Sequence, residues 1–210
     1  MRLRPATHRD VPAMLTLKGE LVFEVVDGAS TRGGFLLGTD ADGYARRIRE
    51  GEVWVMDDGV VQGFAIALPD APFRASDVWR RRDAVRWEGV DPAALEGERL
   101  CYFDQLAVRR GSFRNRRWGA LLAFHTARRA LQHHDHLVTS TVSAPVLNLA
   151  AVPYLLRLGA TRVGRLDEHH EPIGPLVSDI WRITRAAFEA RVAAPVGDAE
   201  RWLLEMSARS

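Results

Sequence analysis

Apolar residues in this chain fall into two recurring patterns, short β-like runs and longer stretches of helical period, with turn-forming clusters between them. "MRLRPA" reads as a first strand, and Asp10 is placed to cap a helix through "VPAMLTLK", with Pro12 in its first turn and Gly19 marking its end. A turn-rich segment around Phe35 leads to a helix near "ADGYARRIRE" that Thr39 or Asp40 can cap and Gly51 stops. "EVWVMDDGVVQGFAIAL" predicts a hairpin, because β-branched and aromatic residues flank an Asp-Gly turn, and Gly63 predicts a bulge in the return strand. Residues 70–98 are polar and arginine-rich, and they read as an excursion from the sheet, placed to narrow a cleft. After them come a strand, "RLCYFDQLAV", a helix, "WGALLAFHTARRALQ", a strand, "HLVTSTVS", a helix, "LAAVPYLLRLG", and a hairpin of "ATRVGRL" with "LVSDIWRIT". A linker, "AAPVG", precedes a tail helix, "DAERWLLEMSAR". Strands and helices mix without strict alternation, so the expected fold is a single α/β domain on a mixed sheet.

Composition adds limits to this picture. The 210 residues are 47% hydrophobic and 27% charged, with a net charge of +2, as expected for one globular domain that is soluble and cytoplasmic. The start of the chain lacks the apolar core of a signal peptide, and no apolar run reaches the length of a membrane span. Cys101 is the sole cysteine, so no internal disulfide or cysteine-based metal site can form. No metal site is expected from "HHDH" at 133–136, which reads as a solvated loop, nor from "DEHHE" at 167–171, which reads as a hairpin loop. A nucleic-acid partner would call for a larger positive surplus. In the tail, Trp202, Leu203 and Met206 form an apolar stripe that docks on its own domain or, in the alternative, makes a homodimer contact.

The segment "LAVRRGSFRNRRWGALLAFH" at 106–125 carries five arginines within nine positions between a strand and a helix expected to begin near Trp118 and Gly119. A helix N-terminus offers unpaired N–H groups and a partial positive charge, so such a turn is either a phosphate site or a solvated basic turn. The order of this strand, the arginine turn, the apolar helix, a further strand and "NLAAVPYLLRLGATRVG" resembles the GNAT superfamily of acyl-CoA-dependent N-acetyltransferases over residues 1–185. Arg114, Arg117 and Gly119 occupy the three positions of that family's phosphate signature, with Arg117 standing where the first glycine is usual.

The resemblance implies a GNAT domain over 1–187, with 70–98 as an insertion and 188–210 as linker and C-terminal helix. It implies a mostly antiparallel sheet flanked by helices and opened by a splayed strand pair. Acetyl-CoA would be the co-substrate, held by Leu106, Ala107 and Val108 on the strand edge, by the turn Arg114, Asn115, Arg116, Arg117, Trp118, Gly119 and Ala120, and by Asn148. A small-molecule or amino-acid-like primary amine would attack the thioester directly. Asp104, assigned by strand alternation to the same face as Leu106 and Val108, is the candidate base, or it orders the strand. Tyr154 is the candidate acid, one residue before the family's usual tyrosine position at Leu155, or a packed tyrosine. Glu24 and Phe35 are the expected acceptor-side residues. The alternative function is a non-catalytic acyl-CoA-binding domain.

Overall fold

The computed structural model describes residues 1–21, 28–31, 36, 38–111, 113–171 and 173–209. In the first half of the chain a first strand, two helices and the hairpin form where the patterning predicts them. β1 (Arg2–Pro5) leads into α1 (Val11–Glu20), and β2 (Gly28–Ser30) precedes α2 (Ala41–Glu50), where the Asp40 side chain accepts from the Gly43 N–H. The Asp10 carboxylate does not cap α1. It binds the Arg4 guanidinium through both oxygens at 2.8 Å and accepts the Thr7 N–H at 2.7 Å, tying β1 to the helix entrance. Gly19 lies inside α1. The hairpin forms as β3 (Glu52–Asp57) and β4 (Val61–Leu68), and a bulge beside Gly63 leaves Gln62 as the extra residue.

The excursion contains α3 (Asp70–Arg74), α4 (Asp77–Arg80), the short strand β5 (Arg86–Trp87) and α5 (Pro92–Glu96). Phe73, Trp79 and Leu95 from it are buried in the core, because three large apolar side chains gain more from the sheet than from solvent. β6 (Leu100–Val108), α6 (Phe113–His133), β7 (His136–Ala144), β8 (Val146–Asn148) and α7 (Val152–Arg157) follow. The chain closes with β9 (Thr161–His170), β10 (Gly174–Thr184), α8 (Arg185–Ala193) and α9 (Asp198–Arg209).

Three further expectations are corrected. α6 starts at Phe113, so the arginines stand in its first turns and not in a loop ahead of it. Asp167 to His170 belong to β9 and not to a hairpin loop. α8 occupies a segment that had no predicted helix, with the Thr184 hydroxyl accepting the Ala187 N–H as its cap.

Eight strands form one sheet in the order β1-β3-β4-β6-β7-β10-β9-β5, antiparallel except between β6 and β7. β2 and β8 form a separate parallel pair. One face of the sheet is covered by α1, α2 and the excursion, around Met14, Leu17, Tyr44 and Phe64. On the other face α6 packs through Leu121, Leu122, Phe124 and Ala127, and α8 and α9 add Phe188, Trp202 and Leu203. The tail stripe is thus used within the chain. β6 and β7 each have nine residues, yet they pair only from Leu100 to Tyr102 against His136 to Val138. Beyond that point they separate.

Candidate active site

Where the strands begin to separate, the Thr139 hydroxyl still bridges them, donating to the Phe103 carbonyl at 2.7 Å. Past it, β6 has a bonded edge and an open edge. The Arg109 N–H is given to the Gln62 carbonyl at 2.7 Å on the β4 side, so alternation turns the backbone groups of Leu106 and Val108 toward the gap. Ala107, between them, is buried with its backbone toward β4. A cleft of about 530 Å³ fills the gap and passes from the α6 face to the α1 and α2 face.

At the α6 face the strand turns through Gly111, whose φ of 146° is a conformation that favours glycine. The Asn115 side chain donates to the Arg109 carbonyl at 3.3 Å and ties the turn to the helix. Because α6 begins at Phe113, its first turn runs through Asn115, while the amides of Arg117, Trp118, Gly119 and Ala120 are spent inside the helix. At Gly119 a Cβ would lie 2.7 Å from Val108 Cγ2, so glycine lets the helix lie against the open-edged strand.

The arginines divide. Arg109 pairs with Glu20 at 3.1 Å. Arg117 stacks its guanidinium on the Trp202 ring at 3.9 Å, with Trp118 meeting the same ring edge-on at 6.2 Å. Arg110 and Arg116 line the cleft, and they and the exposed Arg114 have no acidic partner among the described residues. At the position that the resemblance gives to the phosphate signature, the Arg117 side chain is committed to α9, while Arg110 and Arg116 face the cleft.

On the opposite face, Asp104 does not alternate as predicted. Gln105 pairs with Ile66 and Phe103 with Ala67, which leaves Asp104 as the extra residue of a bulge. The bulge reverses the phase of the strand: Leu106 and Val108 pack toward α6, whereas Asp104 turns to α2, where Arg47 Nε holds its Oδ2. Gln105 shares that face, accepting from the Tyr44 hydroxyl at 2.9 Å and donating to the Thr39 hydroxyl at 2.9 Å. Burial pushes the Tyr44 hydroxyl well above its usual range, so it remains a donor.

Asn148 is buried at the end of β8 beside the cleft, and its Oδ1 accepts the Ala151 N–H at 3.3 Å, which shapes the entry to α7. Tyr154 and Leu155 both line the cleft, so the one-residue offset from the family's usual position still leaves a tyrosine at its wall. Among the described residues no side chain or backbone group bonds the Tyr154 hydroxyl. Glu24 and Phe35 lie outside the described residues; their neighbours Leu21 and Leu36 line the cleft.

Several polar groups of the cleft wall were missed in the sequence. Glu168, its side chain only 8% exposed, is bonded by Arg81 of the excursion and lies 3.6 Å from His170 Nε2. The Tyr102 hydroxyl meets the Ser140 hydroxyl at 2.8 Å in the same wall. A period-two reading of "DEHH" as strand would have put Glu168 and His170 on one face. Elsewhere, Cys101 is buried and its thiol is pushed up by burial, so it packs as a small apolar side chain. His134 is held between the Ala130 carbonyl at 2.7 Å and the Asp70 N–H at 3.4 Å. Among the described residues no three His, Cys, Asp or Glu side chains are grouped to hold a metal, and no helix is long and apolar enough to cross a membrane.

A mixed sheet split between two parallel strands, with a helix N-terminus at the mouth of the split, is the GNAT fold. Solved structures share it across nearly the whole chain. The ribosomal-protein-alanine N-acetyltransferase from Brucella melitensis is 18% identical with a TM-score of 0.54, over 88% of this chain and 99% of that one. The ribosomal-protein-S18-alanine N-acetyltransferase from Escherichia coli is 12% identical with a TM-score of 0.56, over 87% and 92%. Chaetomium thermophilum Naa20, solved with a bisubstrate analogue, is 11% identical with a TM-score of 0.60, over 91% and 90%. No family model and no curated protein sequence matches the chain.

Proposed function

We propose that the protein is an acetyl-CoA-dependent N-acetyltransferase acting on the primary amine of a small, amino-acid-like acceptor. The observation that carries this reading is the open edge of β6 beside the N-terminal turn of α6, in one continuous cleft. The residues suit the co-substrate: Leu106 and Val108 present backbone groups to an amide-bearing arm, and the α6 amides with Arg110 and Arg116 suit a diphosphate. Acetyl-CoA would supply an activated thioester. Tyr154 stands at the cleft wall on the α7 side, where a hydroxyl can give a proton to a departing thiolate. Asp104 supports the reading differently than alternation suggested: tied to Arg47, it fixes the acceptor side of the cleft and can take an amine proton through water.

A small acceptor is supported by the excursion, since Arg81, clipped to Glu168, closes over the acceptor face and leaves less room for an extended peptide. The second reading, a non-catalytic acyl-CoA-binding domain, is favoured by the Arg47 pairing of Asp104 and by the arginine at the usual glycine position. Thiol release from acetyl-CoA across a panel of free amino acids, simple alkylamines and short peptides separates these. Turnover with small amines that falls about a hundredfold or more in Tyr154→Phe is expected, within the range of general acid catalysis. Coenzyme A binding without turnover on any amine would move the protein to the second reading.

A further inference from the structure

Glu168 and His170 follow the buried Leu166 by two and four residues in β9, so alternation sets them on the α1 and α2 face of the sheet, where both line the cleft. His169, between them, belongs to the other face and pairs with Glu171 at 3.0 Å. The Tyr102 and Ser140 hydroxyls meet in the same wall, across the point where β6 and β7 separate. Burial pushes the Tyr102 hydroxyl well above its usual range. Asp104 and Glu168 add to that effect and Arg81 opposes it, so the charges of all three reach this one hydroxyl.

Both carboxylates of this chamber are already matched. Arg47 holds Asp104 and Arg81 holds Glu168, with the two acids only 11% and 8% exposed. Protonating either one would leave a guanidinium without its partner in a largely buried place, which is unfavourable. His170 differs. Its Nε2 lies 3.6 Å from Glu168 Oε2, its side chain is 34% exposed, and no described residue bonds its other ring nitrogen. Among the described ionisable residues of this wall, it is the one that takes up a proton without giving up an ion pair. An imidazole changes charge near neutral pH, and Glu168 is placed to steady the ring once it is charged. Contacts of this kind tighten when a substrate fills the site.

Resting on the acetyltransferase reading above, we infer that His170 is the base that carries the acceptor's amine proton out of the cleft, with Glu168 as its positioning residue. Arg81, which follows α4, is the excursion's hold on Glu168. The proton passes, directly or through one water, from the ammonium nitrogen to the free ring nitrogen of His170. The nitrogen lone pair so released attacks the thioester carbonyl carbon, and the imidazolium returns its proton to solvent. The amine's second proton, lost as the amide forms, replaces the one that Tyr154 gives to the thiolate. Asp104, tied to Arg47, then shapes the wall and need not keep the proton.

The pH profile of kcat/KM, measured on the full chain with a small amine, tests the assignment. Wild type is expected to show a limb rising between about pH 5 and 8, the window in which an imidazole changes charge. His170→Gln should lose that limb, fall about a hundredfold or more at pH 7, and bind coenzyme A in calorimetry as wild type does, which also shows that it is folded. Added imidazole should restore turnover to His170→Ala in proportion to its concentration. Glu168→Gln should keep the limb but move it to lower pH, because the charged ring loses its counter-charge. A limb that persists in His170→Gln would overturn the inference with the acetyltransferase reading intact, and its loss in Asp104→Asn would then give the proton to Asp104. A limb left in place by Glu168→Gln would overturn the positioning role. No turnover by wild type on any amine would remove the acetyltransferase reading, and this inference with it.

Discussion

At Gly119 the absence of a side chain decides how closely a helix can approach a strand. An added Cβ would meet three atoms of Val108, at 2.7, 3.2 and 3.5 Å, and a β-branched side chain has little rotamer freedom with which to retreat. Gly119→Ala therefore overpacks a buried contact and is expected to cost about 1 to 3 kcal/mol in urea denaturation. Because Val108 is the residue pushed, the same variant should also weaken coenzyme A binding in calorimetry. Loss of stability with full cofactor affinity would mean that the open edge of β6 plays no part in holding the cofactor. The residue scale is also where sequence reading reached its limit at Asp104. Nothing marks a bulge there, neither glycine nor proline, and one extra residue reverses the side-chain phase of every position after it. By contrast the resemblance singled out Tyr154 and Asn148, and both line the cleft, because the segment that carries them is local to one turn and one short helix.

Between elements, the contact of α6 with α9 contains a titratable group. His125 on α6 is 3% exposed, its Nδ1 lies 3.2 Å from the Ser207 hydroxyl of α9, and its ring meets Trp54 of β3 edge-on at 4.3 Å. Its Nε2 has no partner among the described residues. Burial first, and then the nearby cations Arg129 and Arg128, lower its pKa to about 4, against an ordinary value near 6.5. The folded state thus favours the neutral ring. Its contribution is complete above about pH 6.5, where both states are neutral, declines as the unfolded chain takes up the proton, and is gone once pH falls through about 4. Thermal denaturation followed from pH 7 to 4.5 should show a falling midpoint, and His125→Gln should flatten that decline; an equal decline in the variant would assign it to other groups. The carboxylate of Asp10, held at about 2 by Arg4, titrates below this window. Element order and most hairpins could be read from periodicity alone. The start of α6 could not, since a run of arginines suggests solvent although arginine is a good helix former. The β2–β8 pairing joins segments more than a hundred residues apart, beyond the reach of any local pattern.

For the whole molecule, the separation of β6 from β7 divides the sheet into two four-stranded halves, β1-β3-β4-β6 and β7-β10-β9-β5, joined in the sheet, among the described residues, by the pairing of Leu100–Tyr102 with His136–Val138. Other links cross the division. α6 packs on β3 and β4 as well as β7, and the Thr139 hydroxyl reaches the Phe103 carbonyl, so the halves are expected to unfold together. A cofactor seated in the gap would add a link of a different kind, bonding the open edge of β6 on one side and touching Asn148, Tyr154 and Leu155 on the other. Such a ligand binds only the folded arrangement, because in the unfolded chain neither the edge nor the helix turn exists. Coenzyme A at about one hundred times its dissociation constant should then stabilise the protein by about 2.7 kcal/mol, which for a chain of this size raises the thermal midpoint by roughly 5 to 10 °C. Differential scanning calorimetry should show one transition that moves intact to higher temperature. Two transitions, with only the second shifting, would mean that the halves fold independently and that the cofactor is held by the β7 side alone, leaving the edge of β6 without the role that its open backbone suggests.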